Sequence, residues 1–214
     1  GVPFELPPAA NFTDARVPYV LDESLVVCGR QVSWYGRPRF FQGYDRGALR
    51  GSGTRNTIVL LGTSSLAGSY VRALADRFAR LPAGVDQIDG VVPVAHTEGG
   101  EADPNNLDMV LRALAGFMVH PNVGAVLAVD FGDEPVNNRL LQRFMDEHAY
   151  PLAPPGGPLH AFMSLGGGKP LSELLADGVK CIESWLEPVN RHRRSRQLLA
   201  RLNVTSGEYK ARQY

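Results

Sequence analysis

Cysteine is scarce: Cys28 and Cys181 are the only two among 214 residues, far apart and outside any CxxC or CxxH setting. That speaks against a disulfide framework and against a cysteine-rich metal site, and it fits a reducing, cytoplasmic compartment. An excess of charge is missing as well. The 22 Lys and Arg residues balance 22 Asp and Glu residues, so the overall field favours neither nucleic acid nor an anionic membrane as a partner. No apolar run approaches the length of a membrane span, and the opening residues Gly1-Val2-Pro3-Phe4-Glu5 lack the basic and apolar regions of a secretory signal. The expectation is a soluble protein whose partners must be read from sites.

With 44% hydrophobic and 21% charged residues, the chain can bury a full core as one main domain. Residues 1–50 read as an N-terminal extension: a proline-bearing arm, then two β-rich runs, Ser24 to Cys28 and Gln31 to Tyr35, that make a plausible hairpin. From 51 to 190 apolar runs of strand length alternate with amphipathic runs of helical length. Strands are expected over Thr57 to Thr63, Ile88 to Ala95, Val123 to Phe131 and Leu159 to Leu165, and helices over Ala67 to Arg80, Asn105 to Met118, Val136 to His148 and Pro170 to Pro188. Asp103-Pro104 and Asp133-Glu134-Pro135 read as helix starts, and Leu171, Leu174, Leu175, Val179 and Ile182 are spaced for burial. Four successive β-α units imply an α/β fold, an open parallel sheet of Rossmann-like or flavodoxin-like three-layer form. Residues 191–214 read as a basic, exposed helix end or tail.

Ligands of open α/β sheets bind outside the carboxyl ends of the strands. Those ends carry Thr63-Ser64-Ser65, His96-Thr97-Glu98-Gly99-Gly100, Asp130 with Asp133-Glu134, and Gly166-Gly167-Gly168-Lys169. His96 suits a general base or a metal ligand, or a structural histidine under a loop. Glu98, Asp130, Asp133 and Glu134 suit a hard divalent cation, or Asp133 and Glu134 merely complement the N-terminus of the next helix. Gly167 and Gly168 can bring backbone amides to an anion. Ahead of the first strand, Arg46, Arg50 and Arg55 suit a carboxylate, or a solvated loop tied by salt bridges. Gly62 to Gly68 lacks both the dinucleotide fingerprint and the phosphate-loop lysine, so no nucleotide cofactor is expected.

Four motifs in order carry a resemblance: Phe41-Gln42-Gly43-Tyr44, Gly53-Thr54-Arg55-Asn56, His96-Thr97-Glu98-Gly99, and His120-Pro121-Asn122-Val123-Gly124. From about residue 40 to about 205 the chain resembles the central domain of the altronate and galactarate dehydratase family, cytoplasmic metal-dependent lyases that dehydrate sugar acids to 2-keto-3-deoxy products. The resemblance implies an aldonic or aldaric acid as small-molecule partner and an elimination begun by proton abstraction next to a carboxylate. His96 and Glu98 would be catalytic, and Arg46, Arg55, Thr63, Ser64, Thr97, Gly167 and Gly168 would hold substrate. Asp133, Glu134 and His96 would hold manganese, magnesium or iron. Where the family usually has cysteine, this chain has Leu66, Gly100 and Asp133, so an iron site built on thiolates is not available. Either a harder metal replaces it, or the domain is a degenerate sugar-acid-binding or assembly unit. Homo-oligomerisation, or association with the family's remaining domains, is implied alongside.

Overall fold

The computed structural model describes residues 38–104, 106–150 and 159–202; the arm, the hairpin expected over Ser24 to Tyr35 and Cys28 lie outside them. A parallel sheet is built from β3 (Thr57–Gly62), β4 (Gly90–Val94), β5 (Val123–Asp130) and β6 (Leu159–Ser164), in the order β4-β3-β5-β6. Between and after these strands run α1 (Gly68–Asp76), α2 (Leu107–Val119), α3 (Asn138–Glu147) and α4 (Leu171–Asn190). The expected α/β architecture is therefore what the chain forms.

Burial explains how the strands differ. All eight residues of β5 are buried, because β5 is central and covered on both faces, which is why it reads as an unbroken apolar run. On one face Ile58, Leu60, Ala125 and Leu127 pack with Tyr70, Val71 and Leu74 of α1 and with Leu174, Ile182 and Trp185 of α4. On the other, Val59, Leu61, Val126 and Ala128 pack with Leu114 and Met118 of α2 and Leu141, Phe144 and Met145 of α3. Strand β4 is an edge and is largely open, with Val92 and Pro93 exposed; proline is admissible there because an edge strand has a free side. Helix α4 comes close to α1 at Gly178, where an added Cβ would meet the Tyr70 hydroxyl at 2.6 Å and Leu74 Cδ2 at 2.7 Å.

Several boundaries depart from the sequence reading. Neither acidic Pro-containing stretch caps its helix: α2 starts after Asn106, in the left-handed region, and α3 after Asn137, whose Oδ1 accepts from Leu140 N–H at 3.0 Å. The amide side chain reaches the orphan N–H groups of the first turn, while Glu134 is drawn inward. Leu171, expected to be buried, is 59% exposed because it opens α4 ahead of the packed stretch. Finally, the basic segment after Asn190 is not a helix continuation: β7 (Ser195–Leu198) pairs antiparallel with β1 (Phe40–Asp45), which also pairs with the short β2 (Ser52–Gly53). The arginines there lie against aromatic faces, with the Arg196 guanidinium 3.5 Å from the Phe40 ring centroid and that of Arg194 4.9 Å from Tyr44, contacts that favour a cation directly.

Among the described residues no helix is long and apolar enough to cross a membrane.

Candidate functional site at the carboxyl edge of the sheet

The chain passes from β3 out to β4 on one side and then back across to β5 on the other. The loops leaving β3 and β5 therefore diverge, which makes the crevice between them the switch point where α/β sheets take ligands. Here the two loops are bound together. Ser64 Oγ donates to Glu134 Oε1 at 2.9 Å, the same oxygen accepts from Phe131 N–H at 2.7 Å, and Oε2 accepts from Gly132 N–H at 2.6 Å. Glu134 is 4% exposed and Ser64 fully buried, so this carboxylate is desolvated and compensated by three donors. Ser64 also caps the 3₁₀ turn Ser65–Ala67. Thr63, also buried, donates its backbone N–H and its hydroxyl to Val129 O.

His96 leaves β4 half-buried, and both ring nitrogens are engaged. Nδ1 accepts from Glu98 N–H at 3.2 Å, which leaves the proton on Nε2, and Nε2 lies 3.0 Å from the Gly62 carbonyl. The ring thus staples the loop after β4 onto the end of β3. Ser65 N–H adds a bond to Glu98 O at 2.8 Å, and Gly99, with φ at +80°, tucks against Val136. Thr97 and Glu98 are exposed, and their side chains are joined by a 3.3 Å hydrogen bond. Gly167 and Gly168 are exposed, both with positive φ and open space around the Cα. Lys169 is held by Asp177 at 3.0 Å.

The donor set implied for a metal does not assemble. Glu134 is consumed by its three hydrogen bonds, His96 offers no lone pair, and Asp133 is exposed on the loop. Among the described residues no group of three His, Cys, Asp or Glu side chains is placed to hold an ion. Two buried oxygens have no hydrogen-bond partner among the described residues: Asp130 Oδ1, whose Oδ2 accepts from Asn138 N–H at 2.8 Å, and Asn138 Oδ1. These are one carboxylate oxygen and one amide oxygen, and among the described residues Asp130 is not joined by two further His, Cys, Asp or Glu side chains in a group that could hold an ion. Among the described residues, the side chains that the resemblance assigns to a metal do not form a metal centre.

The arginines singled out from the sequence stand at the other end of the sheet. Arg46, 5% exposed, donates from Nε to Pro121 O at 3.0 Å and from Nη2 to Asn56 Oδ1 at 2.6 Å; burial pushes its pKa down to about 10, leaving it cationic at neutral pH. Arg50, 1% exposed, donates to the carbonyls of Val119, His120 and Val123, so the cation sits on the carboxyl end of α2 where the helix dipole welcomes it. Arg55 is 65% exposed and 3.3 Å from Asp89. These three groups lie where β3 and β5 begin, not where they end, and the fold does not bring Arg46 or Arg55 to His96 and Glu98. Asn122 completes this edge by accepting from Thr54 and Arg55 N–H. Two of the motifs that carry the resemblance are thus the two sides of one structural joint, a role for Arg50, Asn56 and Asn122 that spacing alone gives no sign of.

Nothing among curated proteins and nothing among solved structures matches the chain. A family model does: the second domain of D-galactarate dehydratase/altronate hydrolase matches residues 43–190, more than half of the sequence. That span runs from β1 to the end of α4 and takes in both the joint at the amino edge and the crevice at the carboxyl edge. The chain belongs to the D-galactarate dehydratase/altronate hydrolase family, of which it carries the second domain.

Proposed function

We propose that this domain binds a sugar acid at the carboxyl edge of its sheet and does not complete an elimination with its own side chains. The observation that carries this reading is the engagement of His96 and Glu134: both imidazole nitrogens and the whole carboxylate are spent on the backbone and on Ser64. A general base needs a free lone pair within reach of the proton it removes. Exposed Thr97 and Glu98 and the open backbone at Gly167 and Gly168 remain to meet hydroxyls and a carboxylate. Thr63 and Ser64 support them from below, and the acid and base of a dehydration come from a partner subunit or another domain.

The test pairs a thermal-shift screen with a product assay on the full chain, using galactarate, altronate and gluconate with and without manganese, magnesium and ferrous iron. The expected result is stabilisation by an acid without 2-keto-3-deoxy product. Keto-acid formation that disappears in His96→Ala would restore a self-sufficient lyase, and no stabilisation by any acid would sink the binding reading.

A further inference from the structure

A cleft of about 340 Å³ lies between the start of α2 and the first two turns of α3, lined by Leu107, Pro135, Asn137, Arg139, Leu140 and Arg143. It opens beside the carboxyl edge, since α2 follows the loop from β4 and α3 the loop from β5. Its size falls at the lower end of small-molecule sites.

Two cations share this wall in a poor electrostatic position. Arg139 and Arg143 are four apart on one helix, a spacing at which like charges repel. Arg139 lies in the first turn of α3, where the helix dipole disfavours positive charge, and that turn carries no acidic residue. Among the described residues no carboxylate pairs with Arg139, and Arg143 has only Glu147 at 3.8 Å, with both side chains more than 60% exposed, a pair worth little. Arginines so placed are relieved by an anion from outside, and two guanidinium forks one helical turn apart suit a carboxylate.

We infer that Arg139 and Arg143 form the subsite that anchors the carboxylate of the sugar acid, with Leu107, Pro135 and Leu140 as the apolar wall against its carbon chain. The inference rests on the binding reading above and supplies, on the edge where ligand binds, the anchor that Arg46 and Arg55 do not provide.

Calorimetric titration of the full chain at low salt tests it, with galactarate and gluconate as acid probes and galactitol as the neutral polyol. Arg139→Gln and Arg143→Gln are compared with Arg191→Gln, an exposed arginine at the far end of α4 that removes the same charge. Each of the first two variants should weaken galactarate binding by about tenfold or more, the value of a charge-assisted hydrogen bond, while Arg191→Gln and wild type agree. Wild-type binding that survives both cleft substitutions, falls equally in Arg191→Gln, or is matched by galactitol overturns the subsite and leaves the binding reading standing. Absence of acid binding in the wild type overturns both. All three positions are exposed, so circular dichroism and melting temperature should match wild type.

Discussion

Ser64 and Glu134, seventy residues apart, meet at 2.9 Å over the crevice between β3 and β5, and the bond joins the two loops that leave the centre of the sheet. The carboxylate also fastens the backbone of Phe131 and Gly132. Removing the acceptor strands one buried hydroxyl and two half-buried N–H donors, whereas removing the serine strands less. Glu134→Ala should therefore cost about 3 kcal/mol or more and Ser64→Ala about 1 kcal/mol, as read by urea unfolding with unchanged slope. A Glu134→Ala protein as stable as wild type would contradict this account of the crevice.

Arg50 holds three carbonyls at the carboxyl end of α2 and the start of β5. Arg50→Ala should destabilise by about 3 kcal/mol or more, and Arg50→Lys should recover little of it, because an ammonium cannot reproduce the planar fork. Equilibrium unfolding of the two variants checks the contrast.

His120 is held below its ordinary pKa of 6.5 by burial and by the Arg50 guanidinium, and His192 is lowered by burial and by Arg46 and Arg50. The sign follows. The unfolded chain takes these protons first on acidification, so the stability tied to the neutral rings is complete above about pH 6.5 and is lost as pH falls through the lowered folded values. Melting temperature should decline below pH 6.5, and His120→Gln should flatten that decline.

Gly99 sits at φ +80°, where a Cβ would lie 2.8 Å from Val136 Cβ. Gly99→Ala combines left-handed strain with an overpacked contact and should cost about 2 to 4 kcal/mol. Differential scanning calorimetry would register it as a clear fall in melting temperature.

The parallel sheet was legible because its central strands are buried on both faces. Val123 to Asp130 could hardly be other than a core strand, and the amphipathic spacing of Tyr70, Val71, Leu74 and Phe78 matches residues that the structure buries. Placement of polar groups at one edge was legible for the same reason, since strand ends follow from strand positions. What the sequence hid was which atoms each polar group spends. His96, Glu134, Arg46 and Arg50 have the types that chemistry uses, yet they are spent on backbone groups 34 to 75 positions away in the chain, on loop amides two or three residues off, and on the side chains of Ser64 and Asn56. Such pairings depend on how loops fold over one another, and no local pattern encodes them. The antiparallel pairing of Arg196 with Gln42 escaped for a related reason: a short basic run gains a strand partner only after the core has brought Phe40 to Asp45 alongside.

That last pairing carries a consequence for folding time. Phe40 faces Leu198 and Gly43 faces Ser195, so the small sheet closes a loop more than 150 residues long, whereas β3 and β4 are joined by a single short helical excursion. Loop closure on that scale costs entropy that only an already compact chain can offset. Of the two sheets among the described residues, the outer one is therefore the later to zip up and the earlier to open, and amide protons of β1 exchange with solvent well before those of β5.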